Sequence, residues 1–156
     1  KYTSVFETTI RSLGGLLGAY EWSKDPAFLE KAVDLGDRLL KAFDTPSGIP
    51  YGEVNLLTRA GRNEGWLGKE VSLSAGTTLQ VEFRYLAKAT GNPEYARKAE
   101  FVFEAMKKIE PIDGLYPATV VNMAQSASFG VREPKISFGS RADSFYEYML
   151  KIWLQG

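Results

Sequence analysis

Apolar side chains return every three or four residues along residues 6–20, placing Phe6, Ile10, Leu13, Leu16, Leu17 and Tyr20 on one side of a helix. Lys24-Asp25-Pro26 breaks this pattern and opens a second helix, because proline suits a first helical turn where its missing N–H is not needed. Phe28, Leu29, Ala32, Val33, Leu35, Leu39, Leu40 and Phe43 form its stripe, and Thr45-Pro46-Ser47-Gly48-Ile49-Pro50 ends it. Residues 51–69 carry Gly, Arg and Asn without a period and read as one long ordered loop. The cycle then returns with a helix over 72–90, a Gly91-Asn92-Pro93 connection and a helix over 94–109. Pro26-Ala27-Phe28 with Lys31-Ala32 and Pro93-Glu94-Tyr95 with Lys98-Ala99 stand 67 residues apart. The repeating unit is therefore a helical hairpin, which must stack on neighbours to bury both of its helices.

Residues 114–133 hold two short β-prone runs, Leu115-Tyr116-Pro117-Ala118-Thr119-Val120-Val121 and Ala127-Ser128-Phe129-Gly130-Val131, which predict a β-hairpin. A third unit starts at Ser140, and residues 147–156 repeat the spacing of 82–91. The expectation is that the next outer helix would begin where the chain stops. Phe145, Tyr148, Met149, Ile152 and Trp153 should then lack a partner and expose an apolar stripe. Pattern alone supports an all-α array of hairpins, a toroid or a solenoid, with that small β-hairpin.

Three helix openings set charge among apolar residues: Phe6-Glu7-Thr8-Thr9-Ile10-Arg11, Leu79-Gln80-Val81-Glu82-Phe83-Arg84 and Ser140-Arg141-Ala142-Asp143-Ser144-Phe145-Tyr146-Glu147-Tyr148. A carboxylate buried at a helix end is costly unless it is paired or its proton affinity shifts, so such residues suggest either arginine partners or chemistry. Arg11 lies one turn from Glu7, and Arg141 stands two residues before Asp143. Glu21, Asp34, Asp37, Glu100 and Glu104 read instead as solvated charge on the polar faces of outer helices.

Composition narrows the chemistry. The 19 basic residues balance 19 acidic ones in 156, which gives no pull toward nucleic acid or an anionic membrane. No apolar run reaches the roughly 18 residues of a membrane span. Cys and His are both absent, which excludes thiolate chemistry, a Ser-His-Asp triad and zinc held by those side chains within these residues. The chain opens on Lys1-Tyr2-Thr3 without methionine and is expected to be a segment of a longer protein. Eight Tyr and three Trp fit a glycan cleft and an ordinary helical core equally.

Ser4-Val5-Phe6-Glu7-Thr8-Thr9-Ile10-Arg11-Ser12-Leu13-Gly14-Gly15-Leu16-Leu17, Gly114-Leu115-Tyr116-Pro117 and the run from Phe138-Gly139-Ser140-Arg141-Ala142-Asp143 to Ile152-Trp153 resemble, in order, the signature blocks of glycoside hydrolase family 47, the class I α-1,2-mannosidases. The resemblance implies an (α/α)7 barrel, of which residues 1–156 would be a fragment of the single catalytic domain with N- and C-terminal parts missing. It implies that Glu7 is a catalytic acid and Asp143 a second essential acid, that Arg11 and Arg141 contact substrate, and that Glu82 and Glu147 match acidic positions. For these last two, pairing with Arg84 or Lys151 stays open beside a sugar contact. By the same resemblance the base and an essential Ca²⁺ lie outside these residues, and the setting is the secretory pathway or secretion.

One departure is plain. Where the family usually has Leu-Ala-Glu, this chain has Leu73-Ser74-Ala75, so a cleft carboxylate is missing. The function implied is an inverting exo-α-1,2-mannosidase trimming high-mannose N-glycans. A mannosidase-like lectin that recognises such glycans on misfolded glycoproteins, or a protein-binding helical scaffold, is the alternative.

Overall fold

A computed structural model describes residues 1–130 and 135–156. Val131, and the end of the β-prone segment with it, lies outside the described residues. Two helical hairpins and one further helix stand side by side. The first unit opens on strand β1 (Tyr2–Ser4), passes through the single turn α1 (Val5–Glu7) and a π-helical stretch (Thr8–Leu13), and continues as α2 (Gly14–Ser23). Ser4 caps this start by accepting from the Glu7 N–H at 3.2 Å. Lys24, in the left-handed region at φ 58°, ends α2. Its partner α3 (Pro26–Leu39) begins as expected, with Asp25 accepting from the Ala27 N–H at 2.9 Å and Pro26 in the first turn, and it tightens into a 3₁₀ turn (Leu40–Phe43).

The second unit differs from the single helix expected over 72–90. It consists of α4 (Leu73–Thr77) and α5 (Gln80–Thr90), separated at Thr78 and Leu79. Side chains make the break. Thr77 and Thr78 turn their hydroxyls back onto the carbonyls of Leu73 and Ser74. Gln80 accepts from the Leu79 N–H at 3.0 Å and donates to the Ala99 carbonyl at 3.1 Å. Gly91 at φ 71° then turns the chain into α6 (Glu94–Met106), which ends three residues short of the expected limit. The third unit, α7 (Asp143–Gln155), starts after a turn over 140–142.

Two antiparallel sheets carry the helix starts. Strands β2 (Glu53–Asn55) and β3 (Gly61–Arg62) join β1, pairing Ser4 with Glu53 and Glu53 with Arg62. Residues 51–69 are thus partly sheet where one loop was expected. Two- and three-residue strands hold too few alternations to show a period. The predicted hairpin is present as β5 (Thr119–Val121) and β6 (Ser128–Phe129), with Val121 opposite Ser128. Strand β4 (Glu70–Ser72) adds a third strand and runs straight into α4.

The core lies where α5 packs against α2, α3, α6 and α7. Phe43, Phe83 and Tyr95 meet there, with ring centres 5.6 Å and 6.3 Å apart, and Leu13, Leu39 and Leu86 close around them. Of the five residues expected to form an exposed stripe, Phe145 and Tyr148 are buried, Phe145 edge-on to Tyr116 at 5.3 Å. Met149, Ile152 and Trp153 do line an open groove of about 530 Å³ beside Phe103 and Met106, and Trp153 is 76% exposed.

Candidate active site

The starts of α1, α4 and α7 gather at one end, since α4 packs against both of the others. Each start is tied to a neighbouring loop or strand by a backbone bond. The Val5 N–H donates to Gly52 at 2.9 Å, the Leu73 N–H to Ala118 at 2.9 Å and the Ser74 N–H to Arg141 at 2.7 Å. Glu7 and Asp143 therefore belong to neighbouring helix starts, and both are exposed to solvent. This corrects one expectation: of the carboxylates in the three charged blocks, only Glu82 is partly buried, while Glu7, Asp143 and Glu147 are exposed.

Arg11 Nε donates to Glu7 Oε2 at 2.5 Å across the start of the π-helical stretch. A π turn widens the helix and is frequent at functional sites. Asp143 Oδ1 accepts from Ser74 Oγ at 2.9 Å and from the Ser144 N–H at 3.0 Å. Arg141 holds φ at 79°, a left-handed conformation that costs energy for a side chain with a Cβ, and its guanidinium carbon lies 4.5 Å from the centre of the Trp66 ring.

Glu82 has a different setting. The Tyr148 hydroxyl lies 2.9 Å and 3.1 Å from its two carboxylate oxygens. Burial raises the Glu82 pKa above its ordinary 4.5, against the opposing pull of the Tyr148 hydrogen bond. Burial and the neighbouring Glu82 likewise raise the Tyr148 phenol. Glu82 borders a pocket of about 320 Å³ between α2 and α5, where Gly14 and Gly18 leave the α2 surface bare. The pairing left open for these carboxylates resolves unevenly. Glu147 pairs with Lys151 at 2.7 Å, whereas Arg84 serves Glu100 at 3.1 Å and the Ile152 and Gly156 carbonyls, and Glu82 takes Tyr148.

Two of the residues assigned to solvated outer faces accept from tyrosine hydroxyls, while Asp34, Glu100 and Glu104 pair with Arg38, Arg84 and Lys107. Glu21 lies on α2 and accepts from the Tyr85 hydroxyl, and Asp37 accepts from the Tyr95 hydroxyl at 2.5 Å. Lys24 and Tyr85 hold the Glu21 pKa below its ordinary value, and Glu21 pushes Tyr85 up to about 12.

The profile of glycosyl hydrolase family 47 matches residues 1–156. The chain belongs to glycosyl hydrolase family 47. Among relatives, the mannosyl-oligosaccharide 1,2-alpha-mannosidase MNS1 of Arabidopsis thaliana is 46% identical over 98% of the chain, and the mannosyl-oligosaccharide alpha-1,2-mannosidase IA of Drosophila melanogaster is 44% identical over 97%. The chain spans 27% and 22% of their lengths. The alpha-1,2-mannosidase from Trichoderma reesei superposes with a TM-score of 0.83 at 30% identity, over 99% of the chain and 34% of that structure. The fold is accordingly that of family 47, with these hairpins forming part of an (α/α)7 barrel.

Within this family 47 segment, sequence reasoning missed Ser74, Trp66 and the role of Tyr148 as partner to Glu82. Ser74 was visible only as part of the Leu73-Ser74-Ala75 departure, and nothing in the sequence paired it with Asp143. A hard cation wants six to eight oxygens, and among the described residues no group of three or more carboxylates converges.

Proposed function

We propose that these residues supply part of the active site of an inverting exo-α-1,2-mannosidase acting on high-mannose N-glycans, free or on glycoproteins. In this reading they form one catalytic domain with further helical hairpins. The observation that supports it is the placement of Glu7 and Asp143 at two solvent-open helix starts that both pack on α4, each carboxylate fixed by a named partner. Inverting hydrolysis uses one carboxylic acid to protonate the departing glycosidic oxygen and a second carboxylate to take a proton from the attacking water. Glu7 is assigned the proton-donating role and Asp143 that of a second essential acid. Arg11 and Arg141 are assigned to sugar hydroxyls, for which a planar guanidinium offers several donors in one plane. Glu82 and Glu147 are assigned as further sugar contacts, Glu82 from the wall of its pocket. The base and the Ca²⁺ ligands lie outside these residues in this proposal.

The relatives in Arabidopsis thaliana, Drosophila melanogaster and Saccharomyces cerevisiae, each named a mannosyl-oligosaccharide α-1,2-mannosidase, point the same way. Glu7→Gln in the full-length protein tests the assignment. Turnover of α-1,2-mannobiose should fall by at least about 10²-fold with folding nearly unchanged, as expected for loss of a general acid. Near-normal turnover removes Glu7 from the catalytic set. Glycan binding by the wild type without any release of mannose decides for the lectin reading.

A further inference from the structure

Ser74 touches the Arg141–Asp143 turn at two points. Its N–H donates to the Arg141 carbonyl at 2.7 Å, and its hydroxyl donates to Asp143 Oδ1 at 2.9 Å. The residue itself is 5% exposed, so water competes weakly for either bond. At the first contact point the chain is strained, because Arg141 sits at φ 79°. Such a conformation persists only where its surroundings hold it, and the Ser74 amide acts here together with the Ala142 and Asp143 N–H groups, which both donate to the Gly139 carbonyl at 3.0 Å. Asp143 has a second local donor in the Ser144 N–H at 3.0 Å, but both bonds fall on Oδ1. The carboxylate is therefore pinned through one oxygen, which sets the direction of the other.

We infer that Ser74 is a positioning residue of this site, holding the Asp143 carboxylate in one rotation through its side chain and the Arg141 backbone through its amide. This rests on the proposed glycosidase reading for its consequence, though not for its geometry. The two contacts separate cleanly by substitution, since Ser74→Ala removes the hydroxyl and leaves the amide. Asp143, placed in the chemistry, loses the one of its two donors that comes from another helix and keeps the Ser144 N–H, while Arg141, placed in sugar binding, keeps its tether.

Kinetics on α-1,2-mannobiose with the full-length protein test the split. Ser74→Ala should lower kcat by about tenfold, the order of one hydrogen bond to a charged group, and leave KM within about twofold. Ser74→Thr, which keeps the hydroxyl, should restore most of kcat. Unchanged kcat in Ser74→Ala, or an equal loss in Ser74→Thr with both variants folded, overturns the inference. Thermal unfolding of wild type, Ser74→Ala, Asp143→Asn and the double variant gives a readout without turnover. The drop in Tm caused by Ser74→Ala should shrink in the Asp143→Asn background, and strict additivity also overturns the inference. Should the wild type release no mannose, the glycosidase reading fails, and the unfolding cycle alone decides whether Ser74 holds Asp143.

Discussion

Tyr148→Phe isolates the one carboxylate of the charged blocks that the fold partly buries. Phenylalanine keeps the ring and its packing, and removes only the hydroxyl that lies 2.9 Å and 3.1 Å from the Glu82 oxygens. A hydrogen bond to an ionised group contributes about 1.5–3 kcal/mol, against about 0.5–1.5 kcal/mol when both groups are neutral. The cost of the substitution should therefore depend on pH. Glu82 has a folded-state pKa raised by burial above its ordinary 4.5, so the folded protein holds this proton more tightly than the unfolded chain. Its contribution to stability is then greatest below the unfolded value and declines as pH rises through the folded value. Removing the phenol takes away an interaction that favours the charged form, which raises the folded value further and widens that window. The expected loss is about 0.5–1.5 kcal/mol at a pH low enough to keep Glu82 protonated and about 1.5–3 kcal/mol at a pH high enough to ionise it in the fold. Urea unfolding of wild type and Tyr148→Phe at the two pH values measures this directly, with Glu82→Gln as a background in which the excess at the higher pH should vanish. Equal losses at both pH values, or an excess that survives in Glu82→Gln, would refute the reasoning.

Arg141→Lys should weaken substrate binding or turnover of the full-length protein, because an ammonium cannot reproduce a planar fork of donors or stack flat on Trp66. Unchanged kinetics with a lowered Tm would make its role structural. Asn122→Ala should destabilise by about 1–3 kcal/mol in urea unfolding, since it removes from a fully buried position the donor to the Pro50 carbonyl at 2.8 Å and the amide pairing with Asn63 at 2.7 Å and 3.1 Å. A loss below about 0.5 kcal/mol would show that water replaces the amide there.

The long elements were readable because each has a strong local cause. Asp25-Pro26 and the stripe from Phe28 to Phe43 give α3 both a cap and a buried face, and Gly91 ends α5 in a conformation that glycine reaches most easily. What could not be read depends on tertiary partners. Strand β1 is three residues long and is a strand only because β2 lies beside it. The π stretch at Thr8–Leu13 has the same apolar spacing as an ordinary helix. Likewise, the residues in the motif blocks were legible as a family set, while their surroundings were not. Nothing in the sequence shows that Glu7 and Asp143 face solvent, that Glu82 answers to Tyr148, or that Arg141 bends into the left-handed region.

The break between α4 and α5 explains why two acidic residues from similar blocks end in such different settings. In one continuous helix, Ser74 and Glu82 would be fixed about 80° apart around the axis, eight residues at about 100° each. A single rotation would then have to serve both the Asp143 contact and the Tyr148 contact on α7. Thr77 and Thr78 instead occupy the carbonyls of Leu73 and Ser74, and Gln80 supplies the acceptor for the Leu79 N–H and fastens α5 to α6 through Ala99. Each segment can then take its own orientation. The short α4 turns its serine to the head of α7, and α5 turns Glu82 into the packed seam further along. Gln80, fully buried and hydrogen-bonded at both ends of its amide, lets one unit serve the exposed carboxylate and the partly buried one separately.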